Sequence, residues 1–362
     1  VPEAEPGWEE SARRRIKKHR TGEFTIRLLD DNGDPVSGVP IRAEMKRHAF
    51  PFGTAINAGR LNKTEASDPY ARHIRELFNR GTLENRYKWR NQESKKQAQW
   101  AEAATEWMLD QRMTSHAHVM IWATDRWGAV PEDLMDVVES EEMSREEKAA
   151  YIEKRALDRI KTVGERYRGK VVEWDVINEQ HSEHIFTPIL NPEAPIQEAP
   201  HLLDWMHAAR AADPNARLFV NDYGIVVGDK KKHKASFERL IKYLLDRDAP
   251  LGGIGVQAHY VNAWHRRRPQ ELMKTLDRFG RFGIPVQVTE FDMWGKGWGE
   301  TQEEVEETQA EFMREFYITC FSHPAVNGIT MWGFWDGQHW MDSAPLFRED
   351  WTPKPGYAVF RD

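Results

Sequence analysis

Cysteine is almost missing: Cys320 is the single one in 362 residues, so no intrachain disulfide can form and thiol usage does not indicate a compartment. Its expected role is that of a small buried apolar residue. Long hydrophobic runs are missing too. No window holds eighteen consecutive apolar residues, which excludes a membrane-spanning helix. The first twenty residues, VPEAEPGWEESARRRIKKHR, are polar and charged, which excludes an intact signal peptide. A chain that begins at Val1 without methionine is compatible with a removed leader, and a secreted or periplasmic location is the expectation. Charge of one sign is not in excess either: 58 acidic and 51 basic residues along the whole chain leave a net charge of -7. Neither nucleic acid nor an anionic membrane is therefore the expected partner, and a neutral ligand fits better. No G-x-S-x-G and no glycine-rich phosphate cradle occurs, which argues against acyl and phosphoryl transfer. Internal repeats and low-complexity linkers are absent as well.

What is present is tryptophan, fifteen residues of it, beside nine tyrosines and sixteen phenylalanines. Tryptophan is seldom fully buried, so part of this set is expected to line a groove where flat faces pack on a ligand. With 40% hydrophobic residues the chain can bury a large core. From about residue 50, short apolar runs alternate with helical patterns: FPFGTAIN (50–57), GTLENR (81–86), HAHVMIW (116–122), VVEWDVIN (171–178), ARLFVND (216–222), GIGVQAHY (253–260), PVQVTEFD (285–292) and VNGITMWG (326–333). Helix-like segments at 95–111, 145–163, 234–246 and 303–321 lie between them. Eight β-like runs, each followed by a helix or long loop, predict an α/β protein with a (β/α)8 barrel. An open doubly wound sheet is the runner-up, but no G-x-G-x-x-G follows any strand. Ahead of the barrel, EFTIRLLD (23–30), DNGDP (31–35) and VSGVPIRAEMKRHAF (36–50) read as a β-hairpin turning at Asn-Gly. The expected division is an appendage over 1–49, packed on a catalytic barrel over 50–362.

In such a barrel, reactive groups stand at the C-terminal ends of strands. That filter selects Glu84, Asn85 and Lys88 after the second run, His118 and Trp122 on the third, Asn178 and Glu179 after the fourth, and Asn221 and Asp222 after the fifth. It adds Gln257 and His259 on the sixth, Glu290 on the seventh, and Trp332 with Trp340 around the eighth. Glu179 and Glu290 each close an apolar run, and their strands are three steps apart in a ring of eight. Two carboxyls facing each other across a barrel mouth suit glycosidic-bond cleavage: one protonates the leaving oxygen, the other acts on the anomeric carbon or on a water. In WDVINEQ (174–180), Asn178 and Glu179 can both address a ligand only where the strand has ended and the backbone turns. Zinc hydrolysis is a rival, because His116-x-His118 has ligand spacing, although His259 is the only further obvious ligand. No metal or cofactor is expected. A sugar-binding protein without turnover is the other rival, disfavoured by the presence of both glutamates.

Several of these stretches together resemble glycoside hydrolase family 10, whose best-known members are retaining endo-β-1,4-xylanases, over residues 50 to 360. WDVINE is similar to the family's acid/base motif and VTEFD (288–292) to its nucleophile motif. The resemblance implies Glu179 as acid/base, Glu290 as nucleophile, and Asn178 as a donor to a sugar hydroxyl. TLENRYKW (82–89) is similar to T-x-E-N-x-M-K-W, which implies a sugar subsite of Glu84, Asn85 and Lys88. GVQAH (255–259) is similar to G-x-Q-x-H, so Gln257 and His259 would hold and orient the nucleophile. FVNDY (219–223), MWGFWDGQHW (331–340) and TPKPGY (352–357) match further, implying Trp332 and Trp340 as aromatic walls around the sugar.

One departure stands on the third run, where H-V-M-I-W-A replaces H-T-L-V-W-H. His118 and Trp122 match, but Ala123 stands for the second histidine, so one polar contact is lost or supplied otherwise. Trp335, Trp127 and Trp298 are additional tryptophans expected to narrow or lengthen the groove. The resemblance implies double displacement on a polysaccharide or oligosaccharide, by a chain expected to be a monomer. Retention requires carboxyls roughly 5 to 5.5 Å apart, Glu179 raised in pKa, and Glu290 held ionised by donors such as His259. Xylan is the expected polymer; a mixed-linkage or β-1,3 xylan, or a glucan, is the alternative.

Overall fold

The computed structural model describes residues 4–63, 65, 67–341 and 343–362. Among the described residues nine strands follow in chain order: β1 (Phe52–Ile56), β2 (Arg80–Leu83), β3 (Thr114–Ile121), β4 (Glu173–Asn178), β5 (Arg217–Asp222), β6 (Gly253–Val256), β7 (His259–Tyr260), β8 (Val286–Met293) and β9 (Val326–Met331). All strand pairs are parallel, and pairing of β6 with β8 and of β1 with β9 closes eight of them into a barrel. The extra strand is β7. The run at 253–260 does not continue as one strand but breaks at Gln257 and Ala258, and His259 and Tyr260 pair instead with the far end of β8. The break leaves the Gln257 side chain free to reach Glu179.

The helical patterns become the helices Lys95–Asp110, Arg145–Arg166, Lys231–Leu245 and Gln302–Ser322. Two of these begin with a capping box, Ser144 with Glu147 and Thr301 with Glu304, so their starts are written in local sequence. Outward-facing Trp174 and Val176 of β4 are fully buried beneath the helical layer, as continuous apolar strands covered on both faces require.

The interior of the barrel, by contrast, is polar. Arg80 of β2 meets Glu173 of β4 at 2.8 Å and Gln287 of β8 at 3.0 Å, and His116 of β3 meets Glu173 at 3.0 Å. All four side chains are buried. Burial alone would raise the Glu173 carboxyl, but Arg80 and His116 outweigh it and bring its pKa down to about 2.

Ahead of the barrel lies a helix that the sequence reading did not anticipate, Trp8–His19. It packs on Gln302–Ser322. Arg20 just past its end donates to the carbonyls of Phe321 and His323 at 2.7 Å each, and its guanidinium lies 4.9 Å from the Phe50 ring. The expected hairpin keeps its turn, with Asp30 accepting from the Asn32 and Asp34 amides, but only one antiparallel bridge, Leu29↔Pro35. Phe24, Ile26, Val39, Ile41 and Met45 stay exposed. Two short runs with no third element against their apolar face do not hold a ladder.

Replacing Arg80 with Met would strand the Glu173 carboxylate without its strongest counter-charge. A loss of about 3 kcal/mol in unfolding free energy is expected, read from urea denaturation midpoints. An unchanged midpoint would mean that the polar layer does not support the barrel.

Candidate active site

The path to the site begins on β4. Alternation carries Glu173 and Asp175 inward, and a register shift against β5 between Asp175 and Ile177 then resets it. Asn178 thereby turns toward Gln257 and Asn221, while Ile177 joins the apolar core. At Glu179 the backbone enters the left-handed region, with φ 57. The Glu179 amide still bonds the Asn221 carbonyl at 2.9 Å, and its own carbonyl starts a turn by accepting from Ser182 and Glu183. A left-handed turn on a non-glycine residue costs about 1 kcal/mol or more and recurs at functional positions. It brings two neighbouring side chains into one site.

That site is a cavity of about 450 Å³ at the C-terminal ends of the strands. Its wall includes Glu84, Asn85, Lys88, His118, Trp122, Glu179, Gln257, His259, Glu290, Trp332 and Trp340. Asn178 lies just beneath, buried, and its Nδ2 finds no hydrogen-bond partner among the described residues. Twelve of the fourteen side chains selected at strand ends, all but Asn221 and Asp222, are thus gathered in one place.

Glu179 and Glu290 are connected through amides. Gln257 Nε2 donates to Glu179 Oε1 at 2.8 Å and to Asn178 Oδ1 at 3.2 Å. Asn221 Nδ2 donates to Asn178 Oδ1 at 3.0 Å and to Glu290 Oε1 at 2.8 Å. Their electrostatics diverge. Burial, which Gln257 opposes and the Asp222 and Glu290 charges reinforce, pushes Glu179 up to about 8. Burial acts on Glu290 as well, but His118 and His259 outweigh it and hold its pKa below the ordinary carboxylate value. His259 Nε2 stands 3.2 Å from Glu290 Oε2, and its Nδ1 is 2.8 Å from Asp292 Oδ1. Despite burial, Asp292 and Glu290 raise His259 to about 10, so the ring is cationic at neutral pH. Trp340 Nε1 donates to the other oxygen of Asp292 at 2.7 Å.

Lys88 supplies a second cation. It donates to Asn85 Oδ1 at 2.8 Å and lies 5.1 Å from the Trp122 ring. Trp332 packs edge-to-face on His118 at 5.5 Å, and so serves both core and cavity. Trp127, of the three additional tryptophans, does line the cavity, with its ring edge-to-face to Trp340. The other two do not. Trp335 is buried and stacked on Trp351 at 4.1 Å, and Trp298 is buried against Phe312, because each finds an aromatic partner within the fold.

Sequence reading selected Asn221 as a strand end without a role, whereas it donates directly to Glu290. It passed over Asp175 and Asp292, which orient His118 (2.9 Å) and His259. The signal for Asp292 was its position two residues after Glu290, on the same face of β8. His116 and His118 both turn to Asp175, at 3.0 and 2.9 Å. Among the described residues, no group of three or more His, Cys, Asp or Glu is arranged to hold a metal. Beside Ala123, the loop after β4 makes a backbone bridge through His184.

Comparison with known proteins gives the following. The profile described as Glycosyl hydrolase family 10 matches residues 41–362. Endo-1,4-beta-xylanase B of Thermotoga neapolitana is 30% identical over 341 residues, covering 90% of this chain and 91% of the relative. Anti-sigma-I factor RsgI6 of Acetivibrio thermocellus is 26% identical over 357 residues; the match takes in 97% of this chain and 42% of the relative's length. Xylanase 10B of Thermotoga petrophila RKU-1, solved in complex with xylobiose, superposes with a TM-score of 0.73 at 25% identity, covering 86% of this chain and 93% of that one.

The raised Glu179 has a consequence for stability. Between its ordinary 4.5 and about 8, the folded protein holds a proton that the unfolded chain has released. Stability contributed by this group is therefore complete below pH 4.5, declines as pH rises through that window, and is lost above it. Glu179→Gln removes the penalty, so its gain in Tm over the parent should be larger at pH 9 than at pH 4 by scanning calorimetry. Equal shifts at both pH values would contradict the burial of this acid.

Proposed function

This chain belongs to glycosyl hydrolase family 10, and on that premise we propose that it is a retaining endo-β-1,4-xylanase that cuts internal linkages of xylan by double displacement. The observation that carries the reading is the pair of buried carboxyls in one cavity whose proton affinities are driven apart, Glu179 up and Glu290 down. In the first step the Glu290 carboxylate attacks the anomeric carbon while Glu179 delivers its proton to the departing glycosidic oxygen. A covalent glycosyl ester on Glu290 and a shortened chain with a free hydroxyl result. In the second step Glu179, now ionised, takes a proton from water, whose oxygen displaces Glu290 and restores the starting configuration.

Asn178 supports this reading, since its buried Nδ2 has no hydrogen-bond partner among the described residues and can donate to a sugar hydroxyl that strengthens its hold as the transition state forms. Glu84, Asn85 and Lys88 offer polar groups to the sugar on the non-reducing side, and Trp332 and Trp340 offer apolar faces. His259 acts on the nucleophile rather than on the sugar: a cation shared between Glu290 and Asp292 keeps the attacking group ionised. Residues 50–362 are then the catalytic barrel and 1–49 its appendage. The Thermotoga neapolitana relative and the xylobiose-bound neighbour favour xylan over a glucan, and a polymeric substrate calls for work outside the cytoplasm, by a secreted or periplasmic protein.

A panel of xylans and glucans, with product analysis, tests the assignment. Release of xylo-oligosaccharides with initially retained β-configuration by NMR is expected, with kcat reduced by about 10²- to 10⁴-fold or more in both Glu179→Ala and Glu290→Ala. Near-normal turnover by either variant, or initial α-anomer product, would refute it.

A further inference from the structure

Trp127, at the cavity rim on the loop after β3, is 63% exposed. A lone exposed tryptophan would mean little by itself. This one, however, stands at φ 56, in a left-handed backbone that bulky residues seldom adopt and that persists where the surroundings impose it. The surroundings here are specific. The Ala129 amide bonds the Arg126 carbonyl at 2.9 Å, the Arg90 amide donates to the Gly128 carbonyl at 3.3 Å, and Arg90 Nε donates to the Val130 carbonyl at 3.1 Å. Arg90 belongs to the short helix Trp89–Glu93, which starts directly after Lys88 and whose Asn91 donates to the Asn85 carbonyl at 2.7 Å. One element thus ties the Trp127 loop to the segment that carries Asn85 and Lys88.

What Trp127 reaches is Trp340. The ring centroids are 6.2 Å apart with planes at 82°, an edge-to-face contact that leaves no gap between the two loops. Trp340 lies beyond β9 and is itself fixed, with Nε1 on Asp292 at 2.7 Å and its ring against His259 at 5.3 Å and Trp294 at 5.8 Å. In the ring of strands, β2 and β1 lie between β3 and β9. The two indoles therefore meet across the mouth over the sector where Glu84, Asn85 and Lys88 face the cavity.

We propose that Trp127 and Trp340 form a clasp over the sugar bound on the non-reducing side, admitting an unbranched xylose unit there and excluding one that carries a branch, with Trp127 as the specificity-determining residue. The proposal rests on the xylanase reading above. A xylose unit within a 1,4-linked chain keeps two free hydroxyls, and branches attach at these. With the polar side chains of the β2 loop on one side of the ring and the indole pair on the other, neither hydroxyl has an outlet wide enough for a further sugar. Such selection works by a clash with the wrong ligand rather than by a new contact with the right one. It needs a rigid bar, which the anchored Trp340 and the tethered Trp127 loop supply.

The test compares linear xylan with xylan branched by neutral arabinofuranosyl units, so that charge plays no part. The parent enzyme should show higher kcat/KM on the linear polymer, and in its branched products the second sugar from each newly formed reducing end should be bare. In Trp127→Ala the linear-to-branched ratio of kcat/KM should fall by about tenfold, within the range that the fit of a pocket provides, and branches should appear on that sugar. Trp127→Phe should lie between the two. A ratio and branch pattern unchanged in Trp127→Ala, with both polymers still cleaved, overturns the clasp alone, as do parent products branched at that sugar. Failure of the parent enzyme to cleave linear xylan overturns the xylanase reading and the clasp with it.

Discussion

A carboxylate in a water-poor barrel mouth stays ionised only if a positive charge is fixed beside it, and that constraint organises the whole upper half of this structure. Glu290 has such a neighbour in His259, which is itself kept cationic by Asp292. Glu179 receives an amide from Gln257, too little to offset its burial, and so holds its proton more tightly. Identical side chains acquire opposite proton affinities from what stands next to them. These affinities are therefore set one layer away from the two carboxyls, by Asp292, Asp175, Asn221 and Gln257.

The same logic continues downward. Below the mouth, His118 and His116 share Asp175, and His116 passes contact on to Glu173, Arg80 and Gln287. A column of alternating charge fills the barrel axis where branched apolar residues would ordinarily sit. Its members come from β2, β3, β4 and β8, so the column ties opposite sides of the ring together. Hydrophobic burial acts outside it, between strands and helices, where Trp174, Phe237 and Phe279 are enclosed.

Much of this was readable in the residues. Apolar runs separated by helical periods gave the barrel, and polar residues at the ends of those runs gave Glu179, Glu290 and the donors around them. Less readable were features that depend on neighbours distant in sequence. Nothing local announces that Asp292 would face His259, or that Asn221 would reach Glu290 across 69 positions. The two tryptophans misplaced into the groove, Trp335 and Trp298, erred for the same reason: aromatic partners such as Trp351 and Phe312 arrive from other segments. The helix Trp8–His19 was overlooked because its face is mostly charged, and its docking relies on Arg20 reaching carbonyls some 300 residues away. The hairpin was expected to hold a longer ladder than it does because alternation signals a strand only when something covers its apolar side.

The two anchors of that appendage have a practical meaning. Arg20 grips the chain entering β9, and Arg47 grips the carbonyls of Gln111 and Arg112 just before β3, so both ends of the 23–46 stretch are tied at the barrel's lower rim, remote from the mouth. A cargo domain spliced into the Asn32–Gly33 turn would hang beneath the catalyst and leave the polymer's approach unobstructed. The protein thus offers a ready grafting point for immobilisation or for modular fusion.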